Sequence, residues 1–385
     1  MLINELPDDC LLAIFDRLNN LYYLMACYKV CHKWSPLIAQ RIKKVKYFLD
    51  YYAYTFAHSP AHSPDYSHDY VFYRDRDPID LAGPRTLFPN LIVAEFSDSF
   101  SVKVKFEDIV AFVRNHESLK GIITSSSGIM EEYCDKLEML ASDSIKSWIL
   151  MNYSSLKQLA LFGGTLHNLE RAAHYLPNLE RLHTLFYDSY HNGPVWEKLK
   201  VVELATTPDS SCEIFYGFQF MDSCPNLQSA HISVISGALF VDETLKQASL
   251  QDLVIDFYYN GQIWNDLKRT LMKYPNLKHL SLRSPKYMTD EHIKQLVNML
   301  PNLVIFDVSR CGGVTQRAAD YVKDYCKRNG RSTKFYFNGN RHEIQLDWPW
   351  LSTKIEKISR GFDFMKHCFL KDFYNLSYFL VPIDY

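Results

Sequence analysis

The run LVIFDVSRCGGVT, residues 303–315, decides the fold. Its fourth and sixth positions, Phe306 and Val308, lie two apart, so both side chains point to one face of a short strand. Past the turn the period changes: Ala318, Tyr321, Val322 and Tyr325 recur at helical spacing behind Thr315, which stands where an N-cap belongs. The preceding stretch repeats the plan. LKHLSL from Leu277 gives way to Ile293, Leu296, Val297 and Leu300, opened by Thr289 and two acids suited to the positive end of a helix dipole. The unit is strand, loop, helix.

Outward from there, the tripeptide Pro-Asn-Leu occurs five times, and its leucines (Leu91, Leu179, Leu227, Leu277 and Leu303) each open a segment of the form L-x-x-L-x-L with some apolar substitution. Segments opened by Leu119, Leu156, Leu199 and Leu250 fit between them. Successive intervals are 28, 37, 23, 20, 28, 23, 27 and 26 residues, all but one within the roughly 20–29 residues of a leucine-rich repeat. A doubly wound sheet would need longer buried strands and a phosphate loop, and neither G-x-G-x-x-G nor G-K-[ST] occurs. With its cysteine in the turn after the strand, the run from Leu303 resembles the cysteine-containing leucine-rich repeat; other units keep the leucines and lose that cysteine. The expected fold is an α/β solenoid: a leucine-rich-repeat horseshoe over residues 89–330, about nine repeats, with a parallel strand face and outer helices.

The residues two and four positions after each first leucine alternate away from the core and form two columns. Arg181, His183, Glu203, His231, Asp252, His279 and Asp307 are the polar members expected to touch a partner. Both charge signs and several apolar groups share the face, which suits a protein segment rather than nucleic acid. His183, Glu203 and His231 fall on successive rungs about 4.8 Å apart, a composition that also serves zinc or acid–base chemistry. No H-E-x-x-H or G-x-S-x-G motif accompanies them, so no metal, cofactor or catalytic residue is assigned.

Residues 1–45 do not fit the repeat. Pro7 suits a first helical turn, Asp8 and Asp9 its dipole, and Leu11, Ile14, Phe15 and Leu18 form one apolar stripe ended by Asn19 and Asn20. A second stripe, Leu21, Leu24, Met25 and Tyr28, precedes Val30, Cys31, Trp34, Leu37 and Ile38. The result is a bundle of short helices with more apolar surface than some forty residues can hide. The pairs Leu6-Pro7 and Ile14-Phe15, the leucines Leu18 and Leu24, and Val30-Cys31-His32-Lys33-Trp34 together resemble an F-box, the all-α module by which substrate receptors join SCF ubiquitin ligases. That resemblance implies a Skp-type adaptor as partner and, through it, a cullin scaffold with its RING subunit. It also implies that Leu6, Pro7, Leu11, Ile14, Phe15 and Trp34 contribute to the adaptor-facing surface, with Leu18, Leu24, Val30 and Cys31 packing internally.

Residues 46–88 read as a linker or irregular segment together with the start of the solenoid. They hold the duplication AHSPAHSP, whose prolines disfavour a helix that would align His58 and His62, and whose Ser59 and Ser63 each precede proline. Residues 331–385 leave the leucine pattern and are rich in aromatics, as a cap on the last apolar edge would be, the alternative being a contribution to the binding face. A formal charge of -2, from 42 basic and 44 acidic residues, gives no bias toward nucleic acid or anionic membrane. The start MLINELPDDC lacks a secretory pattern, apolar runs fall far short of the roughly 20 residues that span a bilayer, and nine cysteines without paired spacing read as reduced thiols. The sequence therefore predicts a cytoplasmic or nuclear, non-catalytic substrate receptor of an SCF-type ligase, the alternative being a repeat scaffold that acts without ubiquitin transfer.

Overall fold

Each of the nine first leucines is followed, two residues on, by a strand. The computed structural model describes residues 3–51, 68–74, 88–125, 136–143, 153–163, 165–186, 193–206, 213–258, 261 and 263–385. The AHSPAHSP duplication, with His58, His62, Ser59 and Ser63, lies outside them. The chain forms two units, Met1–Ser142 with Lys146–Ser155, and Asp143–Ile145 with Leu156–Tyr385. In the first, β1 (Tyr47–Asp50), β2 (Tyr70–Tyr73), β3 (Val93–Phe96), β4 (Gly121–Thr124) and β5 (Met139–Ser142) pair in parallel in the order β2-β1-β3-β4-β5.

In the second unit the parallel strands are β6 (Gln158–Leu161), β7 (Arg181–Phe186), β8 (Val201–Thr206), β10 (Ser229–Val234), β12 (Asp252–Phe257), β13 (His279–Arg283), β14 (Ile305–Asp307) and β15 (Lys334–Tyr336), each beside the next. The short β9 (Ile214–Phe215) and β11 (Ala238–Leu239) pair separately. This monotonic parallel order, with helices such as Asp290–Met299 and Gln316–Asn329 following their strands, is that of a leucine-rich-repeat-like α/β solenoid. Thr289 and Thr315 cap those two helices, and Ile293, Leu296, Val297, Ala318 and Val322 are buried beneath them.

The stacking has a visible cause. One carbonyl before each strand receives two N–H groups from the next rung: Lys200 O accepts from Gln228 at 2.9 Å and Ser229 at 3.0 Å, and Gln251 O from Lys278 and His279 at 2.8 and 2.9 Å. The Pro-Asn-Leu motif adds a second tie. Its leucines are buried, while Asn226, Asn276 and Asn302 donate from Nδ2 to the carbonyls of Glu197, Ala248 and Pro275 of the preceding unit at 2.8, 2.9 and 3.0 Å. Cys311 fills the turn with a buried thiol that donates to Leu282 O at 3.2 Å, and burial pushes its pKa up, keeping the donor protonated.

Three of the strands up to β6 escaped the leucine pattern. The long interval between Leu119 and Leu156 hides a unit opened by Leu137, whose strand β5 ends in Ser142 instead of an apolar residue. The segment read as a linker contains β1 and β2, built from aromatics: Tyr47 packs on Tyr70 with centroids 4.7 Å apart. Among the described residues no helix is long and apolar enough to cross a membrane.

The two glycines after Cys311 provide a test of the turn. A Cβ on Gly313 would sit 2.4 Å from the backbone oxygen of Met288, whereas one on Gly312 meets nothing within 4 Å. Gly313→Ala should lower the unfolding free energy by roughly 1–3 kcal/mol by overpacking, and Gly312→Ala should change it by less than about 0.5 kcal/mol; urea unfolding of the two variants checks this.

Candidate functional site

The column residues singled out from sequence do stand in register. Gln158, Arg181, Val201, Ser229, Asp252, His279 and Ile305 oppose one another across successive strands, as do His183, Glu203, His231, Val254, Ser281 and Asp307. Most are not open to a partner, however; only Asp252 and His279 of the polar members stay partly exposed. The chain after β15 turns back over this face, and Arg181, His183, Glu203, His231 and Asp307 are all at most 5% exposed. Residues 331–385 are therefore more than a cap on the final edge. They carry β16 (Ile358–Arg360) and β17 (Phe379–Val381), a parallel pair, and reach as far as β6.

The returning segment is held largely by its main chain. Gln158 donates from Nε2 to Leu380 O at 2.8 Å and accepts from Leu380 N at 3.0 Å, as a neighbouring strand would. Arg181 donates to the carbonyls of Ser377 at 2.6 Å and Tyr378 at 2.8 Å, and His231 Nε2 to Lys371 O at 3.1 Å. Arg283 donates to the carbonyls of Phe369 and Lys371. Phe373 stacks on His183, with centroids 4.8 Å apart, and meets His231 at 5.9 Å. Val201, Ala205, Val254, Ile305 and Tyr336 supply the apolar gaps in the columns that Phe364, Phe369, Phe373, Leu376 and Leu380 fill. That fit is why the segment lies on the face and not on the edge.

At the centre lies a buried ion pair. Arg181 Nη2 is 2.6 Å and Nε 3.3 Å from the two oxygens of Glu203, which also accepts from His183 Nδ1 at 2.9 Å and from the Cys368 thiol at 3.3 Å. Burial pushes the Glu203 carboxyl up, but Arg181 and His183 outweigh it and hold it at about 2. Burial drives the His231 pKa down, against the pull of Asp256, so the ring is neutral at pH 7. Among the described residues no group of three or more His, Cys, Asp or Glu is placed to hold a metal. Glu203 is committed to Arg181 and His183, and His231 to a carbonyl. Asp252 is likewise engaged, by Ser229 Oγ and His279 Nδ1 at 2.6 Å each, and Asp307 by Ser281 Oγ and Ser309 N.

The N-terminal residues form α1 (Asp8–Phe15), α2 (Leu21–Tyr28) and α3 (Trp34–Lys43). Asn20 caps α2, accepting from Tyr23 N at 3.1 Å, and Lys33 ties down the entry by donating to the carbonyls of Asn4 and Leu6. Of the six residues expected to face an adaptor, Pro7 and Ile14 are exposed and Leu6 and Trp34 half-buried, but Leu11 and Phe15 are 0% and 1% exposed. Those two belong to the core of the helices, with Phe15 edge-on to Trp34 at 5.1 Å. Val30, read as internal, is instead 55% exposed, and Ile3, Tyr22, Tyr23 and Tyr28 add to the apolar surface. Three tyrosines in an eight-residue helix were the unread signal.

The same helices close the edge of β2. Phe72 N donates to Asn19 O at 2.6 Å, and the buried Arg41 donates to Leu18 O, Asn19 Oδ1 and Tyr70 O at 3.1, 3.0 and 3.0 Å. Burial lowers the Arg41 pKa to about 10.

No protein-family model matches the chain, and no curated protein does. Among solved structures, a yeast complex of Rad7 and Elc1 is similar at a TM-score of 0.36 and 15% identity, over 81% of this chain and 90% of that one. A complex of TLR13 with ssRNA13 is similar at 0.37 and 15%, over 56% of this chain and 39% of that one. Likeness at this level carries no functional weight.

Glu203→Gln preserves shape but leaves Arg181 buried without a counter-charge, so at pH 7 it should cost roughly 3–5 kcal/mol. The wild-type carboxyl titrates near 2 folded against 4.5 ordinarily. Its contribution is therefore complete above pH 4.5 and lost as pH falls toward 2. Unfolding curves should show the gap between wild type and variant narrowing across that window. His231 contributes in the same direction at higher pH, because a folded pKa below 6.5 makes proton uptake on unfolding favourable as pH drops beneath that value.

Proposed function

We propose that the protein is a non-catalytic receptor subunit of an SCF-type ubiquitin ligase, whose N-terminal helices dock a Skp-type adaptor and whose repeats hold a partner protein. The reading rests on one conjunction. The F-box-like pattern from Leu6-Pro7 to Trp34 falls on three short helices that leave Pro7, Ile14, Val30 and three tyrosines in water. Burying such an aliphatic or aromatic side chain is worth roughly 1.5–3 kcal/mol, so a few anchors sustain a specific interface. On this reading ubiquitin transfer is accelerated by effective concentration: the receptor holds a substrate lysine near a charged conjugating enzyme and contributes no nucleophile itself.

The bonds from Asn19 and Arg41 to β2 favour a second reading, in which the helices cap the solenoid and the chain is a repeat scaffold without ubiquitin transfer. The two part in one experiment. Pro7→Ala with Ile14→Ala and Val30→Ala alters exposed side chains and should leave the thermal midpoint nearly unchanged, while copurified adaptor falls at least tenfold. Undiminished adaptor, or none with the wild-type chain, rejects the receptor reading and leaves the cap. Phe15→Ala serves as the contrasting core variant and should cost roughly 3–5 kcal/mol.

A further inference from the structure

The strand face and the segment that covers it are unlike two halves of one core. Nine of the fourteen buried residues in the shared apolar cluster come from the returning segment (Ile344, Leu351, Phe364, Met365, Cys368, Phe369, Phe373, Leu376 and Leu380), and only five from the strands. The segment thus carries a small core of its own, stiffened by β16 and β17. The face beneath it is mostly polar. Its grip is on main-chain groups: Gln158, Arg181, His231 and Arg283 reach the carbonyls of Leu380, Ser377, Tyr378, Lys371 and Phe369. Phe373 enters between two imidazoles, and Phe369 lies edge-on to a third, His279, with centroids 6.4 Å apart. Carbonyl capture reads the path of a main chain whatever its sequence, here through a turn and the short 3-10 helix Phe373–Asn375 as well as β17, and the aromatic slot sets its position.

The fit is also incomplete. His231 Nδ1, Ser233 Oγ and Asp256 Oδ2 all belong to face positions of β10 and β12, are buried, and have no hydrogen-bond partner in the protein. Asp256 Oδ2 comes no nearer to His231 Nε2 than 3.7 Å. Each such group costs roughly 1–3 kcal/mol while the face is covered, and water relieves that cost when it is uncovered.

We propose that the strand face is a peptide-binding site for a segment that offers main-chain carbonyls and inward aromatic side chains, and that residues 344–381 are its resident intramolecular ligand. A substrate segment of that chemistry competes with the tail, so the receptor rests closed. This rests on the receptor reading for its biological sense, but it is tested without the adaptor.

Two reporters follow detachment on the full-length chain. Leu380 N donates to the Gln158 side chain, and the Cys368 thiol is fully buried against Glu203. Cys224 and Cys311, buried beside the strands, report opening of the solenoid itself. In native buffer, thiol labelling of Cys368 and hydrogen exchange at Leu380 should run at least tenfold faster than labelling of Cys224 and Cys311 and exchange at Ile232 and Leu204. A synthetic peptide of residues 369–381 in excess should speed Cys368 labelling further by holding the face open, and its Phe373→Ala version should not. Labelling of all three cysteines at one rate would mean that the segment leaves only on global unfolding, which overturns the proposal, as would a wild-type peptide without effect. Adaptor copurification is scored separately on the same protein, so loss of the receptor reading and loss of this one are told apart.

Discussion

The Arg181–Glu203 pair is the interaction on which the arrangement of the second unit turns. Glu203 is fully buried, and a lone carboxylate there would be expelled or protonated. With Arg181 bidentate, His183 alongside and the Cys368 thiol donating, it stays ionised. Arg181 in turn spends its remaining N–H groups on Ser377 and Tyr378 carbonyls. One ion pair therefore joins two adjacent rungs and fastens the returning chain to both. A buried pair of this kind adds little net stability relative to an apolar equivalent, but losing one partner is severe, which makes it a device of specificity more than of strength. Any other placement of the tail would leave Arg181 without the Ser377 and Tyr378 carbonyls.

A parallel solenoid has a particular difficulty that both units answer in related ways. Each rung buries its leucines only against neighbours, so the first and last strands expose an apolar edge and unpaired backbone. At the β2 edge the N-terminal helices supply Asn19 and Arg41 to backbone groups of the strand. Within the second unit the chain beyond β15 does not stop at the edge; it continues across the strand face. These helices anchor β2 on one side and present apolar residues outward on the other. The core residues Leu11, Phe15 and Leu24 and the exposed residues Ile14, Tyr23 and Val30 divide those tasks.

How much of this was legible in sequence differs by element. The nine leucines located nine strands, and from β6 to β14 the two columns derived from them match the observed register residue for residue, because a side-chain period of two leaves no freedom once a strand's buried face is known. Strands β1, β2 and β5 were missed because aromatics or a terminal serine replaced the leucine signal. The N-terminal stripes located the helices, but assigned Leu11 and Phe15 to a surface and Val30 to the interior. A stripe of apolar residues says that a face is covered without saying by what, and three short helices bury different members of their stripes in each other.

The covering of the strand face was not legible at all. Its partners lie some 86–222 positions apart, as Phe369 is from Arg283 and Leu380 from Gln158, and most of the contacts use main-chain carbonyls, which every residue has. The sequence by itself determined the repeat, its period, the column each side chain occupies and the helical character of the N-terminal residues, since all of these are local periodicities. Only the tertiary structure decided that the polar columns are enclosed, that Glu203 is an ion-pair centre instead of a member of an open recognition face, and which N-terminal residues stand in water. Those outcomes depend on which distant surfaces match in shape and hydrogen-bonding, a property that no window of sequence contains.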